Sequence, residues 1–336
     1  MNPAVRLKKR RRLMKVINKA VLPEGFSANG VSAGIKKTAK LDLALFYSEA
    51  PAKASLLSTT NKIPAAPIQF NQAQLKKSRL FNAIIANSGN ANAFTGIQGL
   101  KAAEKTAGLT AAVLGVKKEF VFVASTGVIG KTLAIEKISS SLGVLAKGLS
   151  KSGIESAKKA IMTTDKFAKE ITVKLNLGGK IITLCAVAKG AGMIAPDLAT
   201  MLCFIFTDAN IAQASLDRAL KQVVRDSFNS ITVDGCMSTN DTVIILANGR
   251  AGNKLIKPGR DFNSFSSGLR KACLELAKMI VKDGEGATKF ITIKVNQAGN
   301  FAEAKKIALA VANSNLFKIA GFASSKNIYG RIAAVE

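Results

Sequence analysis

The sequence contains no histidine. That absence removes Ser-His-Asp and Cys-His nucleophile activation, imidazole acid-base chemistry and every zinc site built on His ligands. Tryptophan is missing too, and only two tyrosines are present, which leaves little aromatic surface for stacking nucleotide bases. The four cysteines, Cys185, Cys203, Cys236 and Cys273, form no Cys-x-x-Cys motif; buried free thiols in a reducing compartment are expected. No apolar run approaches the roughly 18 residues of a membrane-spanning helix, and the longest, such as 201–206, are strand-sized. Acidic residues are scarce, with 21 Asp and Glu against 49 Lys and Arg, a net charge of +28.

What is present is the composition of a globular α/β protein: 336 residues, 48% of them hydrophobic, enough for about two domains or one large one. A surplus of basic charge invites a nucleic-acid reading. However, Arg6, Lys8, Lys9, Arg10, Arg11, Arg12, Lys15 and Lys19 crowd the first 20 residues. The remaining lysines are scattered along amphipathic stretches, the pattern of a solvated face. Residues 1–20 therefore read as a basic extension: a localisation patch, an Arg-rich presequence, or a dispensable tail preceding a start at Met14.

Strands and helices alternate along the chain, which predicts layered α/β architecture. Strands are expected at 81–86 and 119–124, each emptying into a polar, glycine-bearing loop, with helices at 101–114, 133–149 and 154–162. Segments 171–177 and 180–188 flank Gly178-Gly179, a hairpin signal because both turn residues tolerate positive φ. Further strands are predicted at 201–206, 242–247 and 290–295, and helices at 212–226, 267–281 and 302–311. Asp208 or Asn210 is available to cap the helix at 212–226.

Two loops compete for the chemistry. Gly127-Val128-Ile129-Gly130-Lys131-Thr132 follows a strand and precedes a helix, as a phosphate-binding loop does, but Ser125 stands where the first glycine of that motif belongs. It reads equally as a helix-capping turn, or as a place where Thr126 and Gly127 present a hydroxyl and an amide to a developing oxyanion. The second loop, Lys189-Gly190-Ala191-Gly192-Met193-Ile194-Ala195-Pro196-Asp197-Leu198-Ala199-Thr200, runs into the strand at 201–206. In a chain without histidine, a hydroxyl can be activated when its residue becomes N-terminal, because its own α-amine then titrates near neutrality. Internal Thr200 would first need chain cleavage, and a Thr at a strand start is ordinarily just a satisfied polar residue.

The wider context resembles the ornithine acetyltransferase family, also called glutamate N-acetyltransferase, of the cyclic arginine pathway. The matching blocks span Val21 to Arg331. They include Pro23-Glu24-Gly25-Phe26, Ser32-Ala33-Gly34-Ile35-Lys36, Asn87-Ser88-Gly89-Asn90-Ala91-Asn92-Ala93 with Thr95-Gly96, and the stretch 125–130. Ala160-Ile161-Met162-Thr163-Thr164-Asp165, the loop 189–202, Ser238-Thr239-Asn240-Asp241-Thr242 and Asp283-Gly284-Glu285-Gly286-Ala287-Thr288-Lys289 continue them. The resemblance implies a layered sandwich of central β-sheet flanked by helices. It also implies self-cleavage between Ala199 and Thr200 into an α chain (21–199 after the basic extension) and a β chain (200–336), assembling as α2β2. Thr200 would be the nucleophile that takes acetyl from N-acetylornithine and passes it to glutamate, with Thr126 and Gly127 as oxyanion hole and Thr163, Lys189, Thr200 and Glu285 binding substrate. Some members also use acetyl-CoA; no metal and no cofactor is implied. A cytoplasmic setting is expected, or an organelle matrix if the basic extension is a presequence.

Several positions depart from the family pattern. Lys326-Asn327-Ile328-Tyr329 replaces Asp-Pro-Asn-Trp, Cys236 stands in place of Asp, and Asp197 and Leu198 in place of Asn and Met. The sequence ends at Glu336, before the polar residues with which the family closes its pocket. A shortened, catalytically weak copy is the alternative reading, and a basic nucleotide- or nucleic-acid-binding protein a remoter one.

Overall fold

In the computed structural model the described residues are 14–195, 201–322, 332 and 335. Ala199, Thr200 and most of the basic extension lie outside them. Among the described residues nine strands form one sheet; eight follow the path β1-β6-β7-β8-β9-β3-β4-β5, and β2 pairs with β3 off that path. The strands are β1 (Met14–Ile17), β2 (Phe26–Val31), β3 (Leu43–Ser58), β4 (Leu80–Asn90), β5 (Val121–Val128), β6 (Lys169–Leu177), β7 (Lys180–Lys189), β8 (Leu202–Thr207) and β9 (Thr242–Ala247). The principal helices are α1 (Ala66–Lys77), α2 (Gly96–Leu114), α3 (Ile135–Lys147), α4 (Ile154–Ala160), α5 (Gln213–Asp226), α6 (Arg260–Lys282), α7 (Phe301–Asn313) and α8 (Asn315–Phe322).

Strand alternation sorts the apolar side chains into layers. In β8, Cys203 and Ile205 join Leu216, Leu220, Phe265 and Leu269 of α5 and α6 in one core. Leu202, Phe204 and Phe206 turn the other way, into a core shared with Phe26, Phe46, Phe81 and Phe122. Leu43, Leu45, Ile85 and Val123 face α2 and α3. The sheet thus folds over so that its two halves pack face to face, with α2 and α3 outside one half and α5 and α6 outside the other. Aromatic contacts mark the seam: Phe46 lies 5.2 Å from both Phe204 and Phe206, and Phe26 lies 5.4 Å from Phe206. Such offset pairs add about 0.5–1.5 kcal/mol each beyond area burial.

β3 joins the halves. Its first part pairs with β2 and β4 and its last part, Lys53 to Ser58, with β9, after a register shift between Tyr47 and Ala52. The outer edge of β5 is met from α1, where the Asn71 side-chain amide donates to the Val123 carbonyl at 2.7 Å and accepts from its amide at 2.9 Å. This satisfies backbone groups that an open edge would leave for water or another strand.

The layered α/β expectation is met, and the Gly178-Gly179 hairpin forms, with φ of +57° and +87°. Three local expectations are corrected. Segment 290–295 carries the alternation of a strand but pairs with nothing, because no neighbouring strand of the described residues reaches it. α5 is preceded by Ala212 with no side-chain cap; Asp208 instead accepts from the Thr183 amide at 2.8 Å, and Asn210 pairs with Asn253. Cys236 is exposed, unlike the three other thiols, which are buried.

Candidate active site

The parallel strands β4 and β5 end side by side, and their last residues approach a close crossing. Gly127 adopts φ of +132°, and a Cβ there would lie 2.4 Å from the Gly89 carbonyl carbon and 2.6 Å from the Asn90 nitrogen. Only glycine fits, on both grounds. Gly127→Ala should therefore destabilise the protein by about 2 kcal/mol or more. Gly143→Ala, in α3 where an added Cβ meets nothing within 4 Å, should leave the melting temperature unchanged or raise it. Thermal denaturation of the two variants checks the pair.

Thr126, just before this crossing, is buried. Its Oγ1 accepts a hydrogen bond of 3.1 Å from Lys189 Nζ, so the two halves of the sheet touch through polar atoms at this point. Lys189 ends β7, opposite Leu202 at the start of β8. Burial pushes the Lys189 ammonium below its ordinary value, partly countered by the carboxylates of Asp165, Asp241 and Glu285, while Lys169 lowers it further.

A buried ion network holds the Lys189 end of β7. Asp165 accepts from Lys169 Nζ at 2.6 Å, from the Gly190 amide at 2.7 Å and from the Thr163 amide at 2.9 Å. Lys169 also pairs with Asp283, and all three side chains are fully buried. Burial alone would raise the Asp165 carboxyl; Lys189 and Lys169 outweigh it and hold the group below the usual carboxylate range.

Thr126, Gly127, Thr163, Lys189 and Glu285 line one cleft of about 800 Å³. The structure thus brings together every proposed site residue that falls within the described residues, from segments far apart in sequence. Glu285 is exposed at the cleft wall, its amide bonded to the Ala191 carbonyl at 2.9 Å and its carboxylate against Gly192. Ser238 and Asn240 also line the cleft. Asn240 donates to the Ala91 carbonyl at 2.6 Å and the Ser125 carbonyl at 2.9 Å, which ties the start of β9 to the ends of β4 and β5. These residues sit in a motif quoted above, yet nothing in their spacing announces the role. The same is true of Asp165 and Asp283.

The loop 127–132 is not built as a phosphate cradle. The Gly130 amide is spent on the Ala93 carbonyl at 2.9 Å, and α3 begins only at Ile135, so the loop does not run directly into a helix N-terminus. Among the described residues, no group of three or more cysteines and carboxylates is placed to hold a metal ion.

Fold and cleft define a four-layer α/β protein whose polar site lies where the two sheet halves meet, with a buried cation held to a buried hydroxyl. The ArgJ family model matches residues 27–335. An arginine biosynthesis bifunctional protein ArgJ from Caldanaerobacter subterraneus subsp. tengcongensis is 49% identical over 317 residues, 94% of this chain and 78% of that protein. Its counterpart from Geobacter sulfurreducens is 46% identical, over 93% of this chain and 79% of its own length. The crystal structure of ornithine acetyltransferase complexed with ornithine from Mycobacterium tuberculosis is similar at TM-score 0.52 and 36% identity, covering 55% of this chain and 100% of that one. The arginine biosynthesis bifunctional protein structure from Bacillus halodurans gives 0.51 and 34%, covering 56% and 99%. The chain belongs to the ArgJ family.

Proposed function

We propose that the protein is an acetyltransferase of arginine biosynthesis that moves acetyl from N-acetylornithine to glutamate through an acetyl ester on Thr200, after its own chain is cut between Ala199 and Thr200. The observation that carries this reading is the Lys189–Thr126 contact beside Gly127. The Thr126 oxygen accepts from Lys189, so its own hydrogen is left to donate elsewhere. Together with the amide of Gly127, it supplies two donors for the oxyanion that forms when Thr200 Oγ attacks the acetyl carbonyl.

In the forward half-reaction the freed α-amine of Thr200 takes the hydroxyl proton, the Oγ–C bond forms, and the C–N bond to ornithine breaks as that nitrogen receives the proton. Glutamate's amine then attacks the ester and the steps reverse. Lys189 and Glu285 offer opposite charges to a zwitterionic amino acid, and Thr163 lines the same cleft.

The cut is supported by the solved relatives, whose chains are matched almost completely by 56% and 55% of this one, close to the share that precedes Thr200. Its products would stay together, because β8 lies between β7 and β9 and so knits the later piece into the earlier one. Further pairing of two such units as α2β2 is part of the same proposal. Use of acetyl-CoA as a second donor is supported by the exposed Lys37 and Lys131 on the cleft wall, which suit a phosphate-bearing molecule.

Intact-mass analysis tests the reading. Two fragments meeting at Ala199 and Thr200 are expected, with an acetyl-sized gain on the later fragment alone after brief incubation with N-acetylornithine. An uncut chain, or acetyl on the earlier fragment, would overturn it.

A further inference from the structure

Lys36 lines the cleft, and the proposed chemistry leaves it without a task. Most lysine ammoniums stay in water. This one is turned onto the backbone, where Nζ donates to the Leu41 carbonyl at 2.9 Å and to the Met162 carbonyl at 2.8 Å. Burial pushes the ammonium below its ordinary value, opposed by Asp42 and Asp165. A charge placed there is unfavourable unless polar partners offset it, and two carbonyl oxygens do.

The contacts of Lys36 connect two parts of the cleft. Met162, whose carbonyl it holds, is followed by Thr163 on the cleft wall. The Thr163 amide is held from the other side by Asp165 at 2.9 Å. In the opposite direction the Lys36 stem lies across the end of β4: Gly89 has φ of +97°, and a Cβ there would lie 2.9 Å from Lys36 Cγ. Gly89 is in turn the partner of Gly127 in the parallel pair, at the crossing where only glycine fits. The main chain of Lys36 is fixed as well. Its amide donates to Asp42 Oδ2 at 2.8 Å, and the Ala33 amide donates to Oδ1 at 2.6 Å. Asp42 is wholly buried, and its carbonyl accepts from the Ser88 amide at 2.8 Å. One side chain, anchored at its base, therefore runs from Gly89, packed against Gly127, to the carbonyl beside Thr163.

We propose that Lys36 is a positioning residue for acetyl transfer, a strut that fixes the spacing between the oxyanion donors at Thr126 and Gly127 and the substrate wall at Thr163. A substrate that uses both must place its acetyl carbonyl at one and its amino-acid part at the other. Misplacement by about 1 Å can lower the rate by about 100-fold. The proposal rests on the reading of this cleft as an acetyl-transfer site.

Two acetyl donors test it on the full chain. N-acetylornithine uses both parts of the cleft, whereas p-nitrophenyl acetate has no amino-acid part to set against Thr163. Lys36→Met keeps the stem against Gly89 and removes the ammonium. Its kcat/KM for N-acetylornithine should fall by about 10-fold or more, while that for p-nitrophenyl acetate, corrected with Thr200→Ala as blank, stays within about twofold of wild type. A general loss of folded enzyme would lower both together. Alkylating Lys36→Cys with 2-bromoethylamine rebuilds a side chain of lysine length ending in an ammonium. Once mass confirms the modification, turnover of N-acetylornithine should recover, relative to wild type treated in the same way. Equal loss on the two donors, no loss on either, or no recovery in the alkylated protein would overturn the proposal while leaving the acetyltransferase reading in place. If Lys36→Met does not fold, Lys36→Gln must show the same uneven loss, or the proposal fails. A wild-type enzyme no faster than Thr200→Ala on both donors sinks the acetyl-transfer reading, and the strut with it.

Discussion

Thr200→Ala is expected to accumulate as a single uncut chain and to lose acetyl transfer by about 10⁴-fold or more, the scale on which removing a covalent nucleophile acts. Both losses have one cause, the missing hydroxyl. Thr200→Ser restores a hydroxyl at the same atom and should recover part of both. A gel of the purified variants reads the cut, and ornithine release from N-acetylornithine reads the transfer. Normal cutting of Thr200→Ala would place the nucleophile elsewhere. Transfer by an uncut Thr200→Ala would remove the covalent intermediate from the mechanism.

The largest expected loss of stability belongs to Lys169→Met. The substitution keeps the length of the side chain and removes the cation between Asp165 and Asp283, both of them fully buried. Breaking a buried ion pair by deleting one partner costs about 3–5 kcal/mol, because the other charge is left uncompensated. The cost should depend on pH. Asp165 is held below its ordinary 3.8, so its contribution is fully present above that value and is lost as the pH falls through the lower folded-state value. In Lys169→Met the stranded carboxylates are relieved by protonation, so the stability gap between the two proteins should narrow in acid. Urea unfolding from neutral pH down to about 3 measures this. A gap that is constant with pH would mean that the loss is one of packing alone.

Much of the fold was legible because local chemistry agreed with it. The Gly178-Gly179 turn, the apolar run of β4 and the helical spacing of α2 each specify one structure, and tertiary packing had nothing to override. β3 was not legible. Pro51 interrupts its pattern, yet the strand runs through, because the proline falls between Tyr47 and Ala52 where the register with β4 shifts and ladder donors are not required. Segment 290–295 failed in the opposite sense: Phe290, Ile291 and Ile293 have strand chemistry, but a strand exists only with a partner, and pattern cannot supply one.

The candidate site divides in the same way. Thr163, Lys189 and Glu285 stand out only through family resemblance, Thr126 and Gly127 also through the strand end they occupy, and all five line one cleft. The residues that hold them were not named. Lys169 and Asp283 are 114 positions apart, and neither has a local signal distinguishing it from the many surface lysines and acids of a chain with 49 basic residues. Only folding, which strips both of water, makes their pairing consequential.

The strand order has a bearing on when the proposed cut could happen. With β8 and β9 between β7 and β3, a piece ending at Ala199 would carry two facing raw edges about three strand spacings, or roughly 14 Å, apart. Such edges pair with whatever is nearest, including each other and other copies. On the proposed cut, the single chain is therefore the folding unit and the two-chain form would be a product of it. The proposed cleavage would have to come after β8 and β9 have taken their places, and a ribosome that delivered the two pieces separately would be asking the earlier one to keep open a slot for strands that it does not possess.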